Sequence, residues 1–287
     1  MNRREKHKRK NPRLLQILLG ILVIVAMGIL GRTVSHFLWN RGTEQVTVQT
    51  TSQSTSSSSQ EVVVPSYQVS SEEKAAMQAR FTELKGINPD TVAYIYAPGT
   101  PLDEPVVQTT DNETYLDKTF EGGHQPYFGT VFMDTESKND FSDPLTWMFG
   151  HVRGPLVDDE RIFQTVTYYE NQAYFDQHPF FVVQTPERIL YYQAAFTIVI
   201  PETTHYYKHD FADGKEFVNL LALASQEAVA KNPNLPILST DHYLVLATCR
   251  AEDLTTRAVL FLRQIPDSEL EGFLEQHGSS LTYVPTR

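Results

Sequence analysis

Eight short runs rich in β-branched and aromatic residues, at 92–96, 105–108, 129–133, 145–149, 180–183, 189–200, 243–249 and 258–262, dominate the later two thirds of this 287-residue chain. Such side chains suit a pleated, half-buried surface, and Pro98-Gly99, Gly122-Gly123 and Asp213-Gly214 punctuate the series with turns. The pattern predicts a mainly-β domain whose eight strands close into a barrel. About 200 residues follow Gly86, enough for one domain with a substantial core. No internal repeat, Gly-rich phosphate loop or heptad interrupts the series.

Helices are expected at three places. Ser70-Ser71-Glu72-Glu73 has the form of a capping box, with Met77, Phe81 and Leu84 following at i, i+4 and i+7; this predicts a helix from Ser70 that Gly86 ends. Residues 159–176 hold Ile162, Phe163, Val166 and Tyr169 at helical spacing. Residues 215–231 set Phe217, Leu220, Leu221, Ala224 and Ala228 on one face and stop before Asn232-Pro233. The acidic run Asp158-Asp159-Glu160 reads as a helix start rather than a calcium site. His277 falls in what reads as a polar C-terminal tail.

The N-terminus points to a membrane. Residues 1–13 carry seven basic residues and one acid, a charge of +6, which leaves −17 for the rest of a chain whose net charge is −11. Residues 14–31 follow as an uncharged, largely apolar run near the lower length limit for a spanning helix, and Arg32 closes it. A cleaved signal peptide fits less well, because its apolar region would be shorter and would end in a small-x-small site. The basic side stays in the cytoplasm, so residues 32–69, with a Ser/Thr-rich stretch from Thr50 to Gln60, read as an extracellular stalk carrying a domain at 70–287. An acidic body of this kind argues against nucleic acid as a partner.

Chemistry is concentrated at strand ends. Cys249, the only cysteine, closes the run 243–249, and Arg257 opens the next one, so strand, seven-residue loop and strand would set a guanidinium beside the sulfur. A lone cysteine is often a small buried hydrophobe. Outside the cell it has no disulfide partner, and a strand end near an arginine favours the thiolate, the reactive form. A cysteine nucleophile needs a histidine, and His151 ends the run 145–149 through Gly150 in the same manner. Trp147 and the tyrosines read as core or barrel surface. His205 and His209 at i, i+4 would suit a metal only on a helix, and no third ligand is evident.

These residues resemble the signature elements of the sortases, the membrane-anchored cysteine transpeptidases of Gram-positive bacteria: Phe149-Gly150-His151, Leu246-Ala247-Thr248-Cys249, and Arg257 at the start of the following strand. The front of the domain resembles class B in particular, through residues 88–95, Pro98-Gly99-Thr100, 105–108, Asp111-Asn112 with Tyr115-Leu116, and 129–134; the long helix before the Cys249 strand is a further class B trait. The similarity runs in order from about residue 70 to 265. It departs from the pattern at Val245, where threonine is usual, and at Arg250, where class B members often carry an acid.

The resemblance implies a sortase-type eight-stranded barrel and a catalytic set of Cys249 as nucleophile, His151 as general acid and base, and Arg257 as donor to the oxyanion or the substrate. Thr248 and Arg250 are further candidates for substrate binding. The expected substrate is a secreted protein with a C-terminal sorting signal, cleaved after threonine through a thioacyl intermediate. The expected acceptor is an amine, either a lipid-linked peptidoglycan precursor or a pilin lysine. No class C type lid is visible in residues 61–88, and wall anchoring and pilus building both remain open. No cofactor and no metal ion enter the expectation. The segment holding His205 and His209 would line the sorting-signal groove. Two other classes compete: a catalytically silent tethered binding module, and a hydrolytic cysteine protease.

Overall fold

The apolar runs pair into a ring. The computed structural model describes residues 67–153, 157, 160–204 and 206–286. In order, the elements are helix α1 (Ser71–Ile87), strands β1 (Thr91–Tyr96) and β2 (Asp103–Val107), the single turn α2 (Thr114–Asp117), and strands β3 (Val131–Met133) and β4 (Leu145–Phe149). Short helices α3 (Gln164–Tyr168) and α4 (Gln172–Gln177) then precede β5 (Phe180–Gln184), β6 (Ile189–Pro201), α5 (Gly214–Gln226) and β7 (Ala228–Lys231). The chain continues through β8 (Tyr243–Cys249), β9 (Thr256–Gln264), α6 (Asp267–His277) and the 3-10 turn Gly278–Ser280.

Strands β5, β1, β2, β3, β4, β8, β9 and β6 lie side by side in that order, and β6 returns to β5, so eight strands close on themselves as expected. The β2–β3 and β4–β8 pairs are parallel, and the other pairs are antiparallel. The 13-residue β6 is long enough to serve two partners along one edge. Its first half pairs with β5 and its second half with a ninth strand, β7.

Strand periodicity explains what each face does. On β8, Leu244 and Leu246 enter the barrel interior with Ile95, Val131, Met148, Leu260 and Leu262. Tyr243, Val245 and Ala247 point the other way, into a second core with Trp147, Ile198, Val259 and Phe261, which α5 covers with Phe217, Leu221 and Ala224. Burial on both faces is why β8 reads as an unbroken apolar run rather than an alternating one.

Departures from the expected helices have local causes. Ser70 caps α1 as foreseen, accepting from the Glu73 N–H at 3.0 Å. The Glu73 carboxylate does not complete a capping box: it accepts from the Ile189 N–H at 2.9 Å and from the Tyr67 hydroxyl at 2.5 Å. The helix expected over 159–176 is split into α3 and α4, because the Asn171 side chain accepts from the Ala173 and Tyr174 N–H groups and starts a new helix. The helix expected to run to residue 231 ends at Gln226, and residues 228–231 extend the sheet instead. The tail that reads as polar forms α6, whose Phe273 and Leu274 pack against Phe180 and Tyr191.

The chain divides into units Met1–Glu61 and Val62–Arg287, and the first lies wholly outside the described residues. The expected basic tail (1–13) and membrane helix (14–31) lie there too, as does the stalk up to residue 66. Among the described residues no helix is long and apolar enough to cross a membrane.

Leu221 is fully buried in the layer between α5 and the barrel wall. Leu221→Ala is expected to lower unfolding free energy by about 2–5 kcal/mol, read from the midpoint of a urea titration with unchanged slope.

Candidate active site

The same parity places the candidate site residues. Cys249 shares the outward face of β8 with Val245 and Ala247, and on β9 Arg257 shares the face of Val259 and Phe261. The β8–β9 ladder pairs Cys249 directly with Arg257. Arg257 is the second residue of β9, beside that strand's start. On the far side, β4 runs parallel to β8 with Phe149 opposite Ala247, which brings the residues after Phe149 toward the end of β8 where Cys249 stands.

His151 is reached through Gly150, and glycine is required there. A Cβ at residue 150 would meet Ile162 Cγ2 at 2.8 Å and the Phe163 ring at 3.0 Å, inside van der Waals distance. The backbone is pinned as well, since the His151 carbonyl accepts from the Phe163 N–H at 3.1 Å. The imidazole Nε2 lies 2.8 Å from the Leu116 carbonyl. A carbonyl only accepts, so Nε2 carries the proton in this pairing and Nδ1 is the acceptor nitrogen. A second glycine secures that carbonyl: Gly129, at φ +48°, has no room for a Cβ, which would fall 2.4 Å from the Tyr115 carbonyl and 2.6 Å from the Leu116 carbonyl.

Cys249, His151 and Arg257 line one groove of about 630 Å³, together with Asn112, Leu116, Trp147, Phe149, Tyr207 and residues 200–204. The Arg257 fork is already oriented. Nη2 donates to Glu202 Oε2 at 2.6 Å, and Nη1 donates to the Leu254 and Thr256 carbonyls at 2.8 and 3.1 Å. This leaves the Nε–H and the second Nη2–H for another acceptor. Glu202 is itself fixed, because its N–H continues the β6–β9 ladder to the Thr255 carbonyl at 2.9 Å.

Thr248, by parity, faces the interior; it is 2% exposed, and its Oγ1 has no hydrogen-bond partner among the described residues. It also contributes to the groove lining. Arg250 is not brought into the groove. Its Nε and Nη2 form a two-pronged pair with Glu170 Oε1 and Oε2 at 2.8 and 2.9 Å, in the break between α3 and α4. His209 lies outside any helix, and His205 is outside the described residues. Trp147, expected in the core or on the barrel surface, is buried and also contributes to the groove lining. Tyr207, in the segment of His205 and His209 expected to line the groove, contributes to its lining, whereas sequence reasoning singled out neither Glu202 nor Tyr207 by residue. Both sit in irregular chain just beyond β6, where no periodicity marks a face; their only signal is polar and aromatic residues directly after a long apolar run.

No family model matches the chain. It is similar to Sortase B of Staphylococcus aureus, with 26% identity over 192 residues, covering 66% of this chain and 75% of that protein. It is also similar to Sortase B of Listeria monocytogenes, with 25% identity over 172 residues, covering 59% of this chain and 67% of that protein. A solved S. aureus sortase B–substrate complex matches the fold at TM-score 0.60 and 23% identity, over 68% of this chain and 92% of that one. The resemblance to class B sortases read from the motifs is thus found again in sequence relatives and in the fold.

The half-buried Arg250–Glu170 pair ties the loop after Cys249 to the helical insertion. Arg250→Gln and Glu170→Gln are each expected to lower stability by about 1–3 kcal/mol. In a double-mutant cycle the double variant should be little worse than either single one.

Proposed function

We propose that this chain, a sortase transpeptidase in its similarities, uses Cys249, His151 and Arg257 to cleave a C-terminal sorting signal and pass the acyl group to an amine. The observation that carries the reading is the convergence of a strand-end thiol, an imidazole and a pre-oriented guanidinium on one groove. The partial exposure of Cys249 in the groove lining supports a reactive role over an inert one, since a purely structural thiol would be sealed in one of the two cores that β8 separates.

The steps follow from the groups. The Cys249 thiolate attacks the carbonyl carbon of the scissile threonine, and the oxyanion that develops needs donors fixed in advance. Arg257 offers the Nε–H and the second Nη2–H, its remaining donors being held by Glu202 and two carbonyls. Collapse of the tetrahedral intermediate expels an amine, which His151 as imidazolium protonates; as imidazole it then takes a proton from the incoming amine. Because Nε2–H is bonded to Leu116, Nδ1 is the nitrogen that would exchange those protons. The thioester joins the protein to Cys249 between the two halves.

The substrate is read as a secreted protein bearing a sorting signal, and the acceptor as a lipid-linked peptidoglycan precursor or a pilin lysine. The arrangement is proposed to work outside the cytoplasm, with residues 14–31 as a single-pass anchor, residues 32–69 as the stalk and residues 70–287 as the catalytic domain. The similarity to a solved S. aureus sortase B–substrate complex supports a substrate of that kind as occupant of this groove. The proposed role of Arg250 changes: its pairing with Glu170 supports loop anchoring rather than substrate binding.

The test is transfer kinetics with Asn-Pro-x-Thr and Leu-Pro-x-Thr peptides and a panel of amines, with conjugates identified by mass spectrometry. Wild type should form conjugates, Cys249→Ala none, and Arg257→Ala should lose about 10²–10³-fold in kcat, the cost typical of a missing oxyanion donor. A folded wild type that binds peptide without cleaving it would support the silent binding module. Steady hydrolysis with no transfer to any amine would support a protease.

A further inference from the structure

Asp134 follows β3, is 0% exposed, and belongs neither to the Cys–His–Arg set nor to the groove lining. A carboxylate removed from water has to be met by donors. Here they arrive from separate segments. Asp134 Oδ2 accepts from Asn112 Nδ2 at 2.7 Å and from the Tyr207 hydroxyl, while Oδ1 accepts from the Glu136 N–H at 2.8 Å. His209 Nε2 stands 3.2 Å from Oδ1.

Two of these donors face the groove. Asn112 reaches it from the segment between β2 and α2, and Tyr207 from the segment after β6. Tyr207 stays about half exposed, its ring edge-on to Trp147 at 5.2 Å between centroids and 6.1 Å from Phe149. Burial, then the bond to Asp134, raises the pKa of the Tyr207 phenol, so it remains a donor at every working pH. Residues 206–211 form neither helix nor strand. With no ladder to hold them, their place depends on side-chain tethers: on the groove side the Tyr207 and His209 contacts with Asp134 and the Trp147 Nε1 bond to the Lys208 carbonyl at 3.1 Å, and on the α5 side the buried Tyr206, whose hydroxyl donates to Glu227 at 2.7 Å, and the Lys208 pair with Glu216.

We propose that Asp134 is a positioning residue that braces the peptide groove, fixing Asn112 and Tyr207 from two segments through one buried carboxylate. What the groove binds rests on the transpeptidase reading; the brace itself does not. Losing the brace leaves Cys249, His151 and Arg257 in place but lets the Tyr207 segment move, so the deficit falls on peptide binding rather than on thiol chemistry.

The experiment uses the whole chain with Asp134→Asn, the milder Tyr207→Phe, and the double variant. Tyr207→Phe keeps the ring on Trp147 and removes only the hydroxyl. Limited proteolysis without peptide should show trypsin cleavage after Lys208 at least tenfold faster in both single variants, with the core strands uncut. With the best peptide from the transfer panel, KM should rise about 5–20-fold, with kcat and the iodoacetamide alkylation rate of Cys249 each within about twofold. The double variant should be no worse than Asp134→Asn alone, because both changes remove one shared contact. Unchanged cleavage after Lys208, an unchanged KM, an alkylation rate that falls with KM, or a double variant equal to the product of the singles would each overturn the brace. A wild type that turns over no peptide contradicts the transpeptidase reading, while the rate of cleavage after Lys208 still decides the brace.

Discussion

The antiparallel ladder between β8 and β9 fixes the site. Its register sets Cys249 opposite Arg257, and a slip of one residue would turn either side chain to the opposite face. Such a slip is strongly opposed, because both faces of β8 are buried: Leu244 and Leu246 inside the barrel, Val245 and Ala247 beneath the outer layer. Closure adds to this, since β8 is also held by β4 and β9 by β6. The chemistry at the strand ends thus inherits its geometry from the core.

Polar contacts then set the side chains where the ladder ends. Glu202 and two carbonyls orient the Arg257 fork, the Leu116 carbonyl selects which imidazole nitrogen of His151 carries hydrogen, and Glu170 holds Arg250 beside Cys249. The Leu254 and Thr256 carbonyls are local to Arg257; Glu202, Leu116 and Glu170 are distant in sequence and lie outside the strands, where the barrel brings them close. Two glycines permit this crowding, Gly150 beneath the α3 approach and Gly129 against α2. The arrangement combines a rigid β frame carrying the reactive atoms with loops that supply orientation.

What was legible in the sequence follows the strength of each local signal. The runs that became β1, β4, β5, β6, β8 and β9 were plain because β-branched and aromatic residues fill them and turns bound them. The Ser70 cap was plain because capping is a local hydrogen bond. Residues 228–231 were not, since Ala228 also continues the apolar face of α5, and only pairing with β6 decides for strand. Helix α6 was missed although Pro266 followed by Asp267 and Glu269 is a fair helix start; its weak apolar face hid the packing of Phe273 and Leu274.

For the site, Cys249, His151 and Arg257 stood out by chemistry and by their places at strand ends, whereas Glu202, Asp134 and the partner of Arg250 depended on tertiary approach. The central claim is that Cys249 forms the covalent bond to substrate. Its most direct test is the intact mass of the protein after mixing with a sorting-signal peptide in the absence of any amine acceptor, followed by peptide mapping. The account predicts an added mass equal to the N-terminal fragment of the peptide, located on Cys249 and removed when an amine is supplied. Cleavage of the peptide by Cys249→Ala at the wild-type rate, with no adduct on the wild-type thiol, would contradict it.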